Sequence, residues 1–180
     1  MQHDDTPRDP ADQIRRRLAD FPGPVALADR PDGDWRALWG AESTDGGPHK
    51  AHVRYVRETP GARELALSIH TVRPDPVPAP VIGTVESLLT VLLELRRTTG
   101  RREPDDVAAA AREEAAAPER PWVVLVDDVE FTGRRKDFPD VSVLEIRWHD
   151  GMRILCGGAA EVVDGLRLRA VPGIPADGLG

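Results

Sequence analysis

Apolar and polar positions change their spacing several times along the chain, and each change marks an element. From Asp9, with Pro10 at a first helical position, Ile14, Leu18 and Phe21 fall at helical spacing, and "FPGP" ends that helix at about residue 21. Two short apolar runs follow, "PVALAD" and "WRALWG", separated by the turn signal "RPDGD". In the second run Trp35, Ala37 and Trp39 share one strand face, because side chains alternate. "AHVRYVRE" and "RELALSIHTV" flank "TPGA" and predict a hairpin. Leu65, Leu67 and Ile69 lie on its dry face. A three-residue loop centred on Gly61 sets Val53 opposite Ile69, Tyr55 opposite Leu67 and, on the outer face, His52 opposite His70.

"RPDPVPAPVIG" interrupts this pattern with a stiff stretch poor in backbone donors. "TVESLLTVLLELRRTTG" then predicts a helix over 84–98, capped by Thr84 and stopped by Gly100. Its apolar residues cover most of the circumference, which predicts burial on two sides. An alanine-rich helix from about Pro104 to Ala116 carries only a thin apolar stripe and is expected at the surface. "PWVVLV", "VSVLEIRW", "RILCG", "AEVV" and "LRLRAV" are strand candidates, with Asp-Gly hairpin turns in "HDGM" and "VDGL".

Strands grouped together, rather than alternating with helices, predict an α+β protein: two groups of antiparallel strands packed around a buried central helix. The expected organisation is a flexible N-terminus at 1–8, an N-terminal helix and β lobe at 9–72 and a Pro-rich connector at 73–82. A helical pair and β lobe at 83–172 and a flexible tail at 173–180 complete it.

Composition narrows the function. A 180-residue chain with 40% hydrophobic and 31% charged residues is ordinary for a folded protein. A net charge of −7 argues against nucleic acid, whose phosphates demand a basic face. Only Lys50 and Lys136 are lysines among 24 basic residues, and asparagine is absent; this arginine skew reads as a codon bias toward G and C. Cys156 is the single cysteine, so one chain builds no disulfide and no thiolate metal site. With no apolar leader and no membrane-length apolar run, the expected location is the cytoplasm, away from membranes. No cofactor loop stands out, and His49 and His52 point to opposite strand faces, which is unsuited to a metal. The tryptophans anchor a core by default, and Trp35 with Trp39 form a candidate interaction surface.

One stretch carries a more specific signal. "VVLVDDVEFTG", residues 123–133, resembles the phosphoribosyl-pyrophosphate loop of the type I phosphoribosyltransferases, in wording closest to their pyrimidine-operon regulators. The resemblance implies Asp127 and Asp128 on ribose hydroxyls, with Thr132 and Gly133 around a 5′-phosphate. Vicinal hydroxyls suit two carboxylate acceptors, and backbone donors at a helix start suit a phosphate. Read from the residues alone, the same aspartates end a strand and satisfy turn amides, and "VEFTGRRKDF" continues as a short strand and loop.

The chain as a whole reads as a non-catalytic, cytoplasmic accessory, adaptor or immunity-type protein that binds another protein. The alternative is a phosphoribosyl- or nucleotide-binding enzyme using that loop. A helix after Gly133 against a parallel sheet favours the alternative; an antiparallel strand there favours the turn.

Overall fold

A computed structural model describes residues 21, 23–31, 33–44, 47–74, 87–96 and 104–171. Nine strands are present: β1 (Val25–Ala28), β2 (Trp35–Thr44), β3 (Gly47–Thr59), β4 (Ala62–Val72), β5 (Arg120–Val126), β6 (Val129–Asp137), β7 (Ser142–Arg147), β8 (Arg153–Gly158) and β9 (Arg167–Val171). The helices are α1 (Leu88–Leu95), α2 (Pro104–Ala116) and the short α3 (Ala160–Asp164). The predicted helix over 9–21, the cap at Thr84, the stop at Gly100, most of the proline connector and the tail after 172 lie outside the described residues.

All nine strands form one sheet in the order β1-β9-β5-β6-β7-β8-β4-β3-β2. Every neighbouring pair is antiparallel except β5 and β9, so the sheet is mixed. This corrects the expected fold. The two strand groups do not flank a central helix; they join edge to edge where β4 pairs β8, Ile69 opposite Cys156.

The sheet curls on itself, and its inner face holds the larger core. Val53, Leu67, Ile69, Leu144, Ile146 and Ile154 are essentially inaccessible there. The middle of the curl is filled by Phe21 and by β1, all four of whose residues are buried. A strand reading "VALA" is apolar on both faces because both faces meet protein.

Helix α1 lies on the other face. Leu88, Val91 and Leu92 pack on Val72, Val143 and Leu155. The excess of apolar residues over one stripe has its explanation in α2, which covers α1 from outside. Arg96 ties the two by pairing with Glu113 at 2.7 Å and with Asp140 at 2.8 Å. Leu89 is only half-buried, whereas Leu92 is fully enclosed. We expect Leu92→Ala to cost about 2 kcal/mol in urea melts, at the low end for a buried leucine because a helix of about two turns can settle toward the sheet.

The β3–β4 hairpin has the expected register over its inner half: His52 opposite His70, Val53 opposite Ile69, Tyr55 opposite Leu67. Toward the tip the pairing slips, Val56 meeting Leu65. The loop is two residues, Pro60-Gly61, with Gly61 at φ +84, a backbone region that favours glycine. The extra residue this leaves is absorbed as a bulge.

Two further local expectations change. "AEVV" forms part of α3, not a strand. "RRKD", expected as loop, continues β6. Arg135 and Lys136 are buried within it because each has partners. Arg135 reaches Asp137 at 2.7 Å and Asp164 at 2.6 Å and stacks 4.3 Å from the Trp122 ring centre. Lys136 reaches Glu114 of α2 at 2.8 Å.

Candidate functional site

The two ends of the sheet are finished differently. The terminal strand β1 has β9 along one edge. On its other edge the Ala26 N–H donates to Thr71 Oγ1 at 2.9 Å, and the Ala28 N–H to the Tyr55 hydroxyl at 3.0 Å, both buried. Burial also raises the Tyr55 phenol above its ordinary pKa, so it stays a neutral hydroxyl. Side chains of β3 and β4 thus satisfy the donors that a sheet edge normally leaves open.

The other terminal strand, β2, is ten residues long and pairs with β3 from Trp35 opposite Arg57 to Thr44 opposite Gly47. Among the described residues no strand lies along its second edge. Trp35, half-buried, leans on Tyr55 with ring centres 6.1 Å apart, so its ring belongs to the inner face rather than to an open patch. Trp39 stands opposite Val53 in the same strand.

Beside the start of β2 the curl leaves a cleft of about 330 Å³. Leu67, Val162 and Leu166 provide apolar wall, Trp35 closes one side, and Arg30 and Arg57 stand at it. The end of β1 is fixed to the start of β9 by the Asp29 N–H donating to the Arg167 carbonyl at 2.8 Å. Arg167 also lines the cleft.

Under α1, a polar cluster interrupts the apolar packing. Glu94 Oε2 accepts from Ser68 Oγ at 3.0 Å and meets His70 Nε2 at 2.5 Å, while Oε1 pairs with Arg54. Burial pushes the Glu94 carboxyl upward, but the His70 hydrogen bond and charge, with Arg54, outweigh it and hold the group at about 2. Serine, histidine and glutamate in contact suggest nucleophilic catalysis, but the geometry does not provide it. Serine and carboxylate both contact the same ring nitrogen, Nε2, whereas a working triad uses one nitrogen for each. Ser68 and His70 are also closed to solvent. The cluster ties α1 to the sheet. Cys156 is likewise enclosed, its thiol pushed up to about 12 by burial, so it is a packing residue and not a nucleophile.

Asp127 and Asp128 form the two-residue turn between β5 and β6, at φ 50 and 63. Both central residues of such a turn need positive φ, which aspartate tolerates. Asp127 Oδ1 accepts the Ala170 N–H of β9 at 3.1 Å, and Asp128 pairs with Arg167 at 2.8 Å. Thr132 faces Val123 and Gly133 faces Trp122 across the hairpin. No helix follows Gly133, so the helix start that would hold a phosphate is replaced by an antiparallel strand. Replacing both aspartates with asparagine, which also accepts positive φ, should change stability by less than about 1 kcal/mol in urea melts.

Among the described residues no group of three or more His, Cys, Asp or Glu is placed to hold a metal ion. No described helix is long and apolar enough to cross a membrane. Comparison with protein-family models, with curated proteins and with solved structures finds no match.

Sequence reading brought out Trp35 and placed His70 opposite His52 without foreseeing its burial, and it passed over Glu94, Arg30 and Arg57. Glu94 had a visible signal, a lone carboxylate inside "LLTVLLEL". The arginines had none, since arginine is common throughout this chain.

Proposed function

We propose that this chain is a non-catalytic protein-binding protein of the cytoplasm, and that it recognises its partner by adding a strand of that partner to the outer edge of β2. The observation that carries this reading is the contrast between the sheet ends. Hydroxyls complete β1, while β2 presents a long, sparingly charged edge, "WRALWGAEST". Folded proteins blunt such edges with lysine, proline or a covering element unless the edge is used.

Magnitudes set what else the partner must supply. A ten-residue strand turns about half its residues' backbone groups outward. About five outward residues offer about ten groups, roughly 10 kcal/mol at about 1 kcal/mol net per hydrogen bond, most of which the entropy cost of association consumes. Side chains on the two faces of β2 must add the remainder.

The test uses proline. Successive N–H groups of a strand point to opposite sides, so one of Ala37→Pro and Leu38→Pro removes an outward donor and leaves the β2–β3 ladder whole. Thermal melts identify which variant that is. Affinity capture from host extract, read by mass spectrometry, should recover a partner with the native chain and lose it with the folded proline variant. Equal recovery by both would contradict the reading.

A further inference from the structure

We propose that the cleft between the start of β2 and α3 is a binding site for a small organic carboxylate with an apolar, ring-sized body. This stands apart from the β2 edge and does not depend on it. Three independent features of the cleft point the same way.

The first is a pair of uncommitted cations. Arg30 and Arg57 line the cleft, and neither makes an ion pair among the described residues. A guanidinium favours a planar carboxylate. The Trp35 ring lines the cleft beside them and serves as a reporter of occupancy.

The second is backbone conformation. Arg30 has φ +55, in the left-handed region. Asp127, Asp128 and Asp150 share that region, but they are turn aspartates, a type that tolerates it. Arg30 is not such a type, and it precedes Pro31, which favours extended backbone at the residue before it. An unfavourable conformation that sets an arginine at the rim of a cleft is a recurrent sign of a ligand site.

The third is size and charge. About 330 Å³ lies at the small end of small-molecule pockets, enough for one ring and a short side arm. Val162, Leu166 and the Trp35 ring receive the apolar part. Arg30, Arg57 and Arg167 against Asp29 and Glu161 leave the lining one positive charge in excess. Asp128, outside the lining, pairs with Arg167 at 2.8 Å and offsets that excess. A singly charged carboxylate therefore meets less repulsion from the neighbouring acids than a doubly charged phosphate does.

The test follows the Trp35 indole N–H in 1H–15N spectra of the full chain, assigned by its loss in Trp35→Phe. Phenylacetate and indole-3-acetate are the probes; phenylacetamide, phenyl phosphate and inorganic phosphate are the controls. We expect at least one acid to shift the Trp35 signal saturably with a midpoint below about 1 mM, as befits a ligand of that size. Phenylacetamide and phenyl phosphate should bind about ten-fold more weakly, and inorganic phosphate should leave the signal in place. Arg30→Met and Arg57→Met should each weaken the acid about ten-fold with the rest of the spectrum unchanged. The proposal is overturned if neither acid moves the signal by about 10 mM. It is equally overturned if the amide or the phosphate ester binds as well as the acid, or if both folded methionine variants bind as the native chain does.

Discussion

Replacing Glu94 with alanine is expected to remove about 3–5 kcal/mol of stability, the largest loss of any substitution considered, because it breaks a buried charge cluster and leaves its other members behind. Glu94 is 7% exposed and binds Ser68, His70 and Arg54 with its two oxygens. Without it, the Ser68 hydroxyl and the His70 ring lose their acceptor beneath α1. The same contact predicts a pH dependence. The Glu94 carboxyl falls from 4.5 to about 2 in the fold. Its stabilisation is fully present above pH 4.5 and is lost as pH falls through about 2, an effect on the order of 3 kcal/mol. Urea melts at pH 7 and at about pH 3 check both statements, and the native chain should lose more between the two than Glu94→Ala does. A loss below about 1 kcal/mol at pH 7 would mean that α1 does not sit on this cluster.

Gly133→Val is expected to cost about 3 kcal/mol, for a reason unrelated to any ligand. A Cβ at Gly133 would stand 2.7 Å from the Glu145 carbonyl oxygen and 3.0 Å from Leu144 Cδ1. The first neighbour is backbone of β7, held by its own ladder, so it cannot move aside cheaply. Glycine is required there for the close approach of β6 to β7, which pair Gly133 opposite Ile146. Denaturant titration should show the loss, and Gly133→Ala should show a smaller part of it. A stable, fully folded valine variant would contradict the packing of β6 on β7.

Local structure was the legible part of this chain. The inner β3–β4 register followed from alternation and an expected three-residue loop; the loop has two residues, and a bulge between Tyr55 and Val56 that left no mark in the sequence restores the pairing. The turn at Asp127-Asp128 was readable because paired aspartates at a strand end mark a turn, although they bond the Ala170 N–H and Arg167 of β9 rather than turn amides. Long-range pairing was not readable: nothing near Ile69 announces that its neighbour across the strands is Cys156, 87 positions later. Charged residues misled in a second way. Arg135 and Lys136 argued for a loop because sequence shows the charge and hides the partner, yet Asp137, Asp164 and Glu114 make both positions tolerable inside. "AEVV" failed for the opposite reason. Two valines favour a strand, but Val163 is buried by a single turn of helix that feeds β9. The cleft escaped notice because its arginines come from β3, β9 and the segment after β1, which only the curl brings together.

Amide hydrogen exchange tests the central proposal, that one end of the sheet is completed while the other, open among the described residues, receives a partner strand. The capped amides of Ala26 and Ala28 should exchange as slowly as the core strands, since each donates to a buried hydroxyl. Along Trp35–Gly40 alternate amides should exchange fast in the isolated chain and become protected when the captured partner is added. Fast exchange at Ala26 and Ala28, or uniform protection of that stretch in the monomer, would contradict the account.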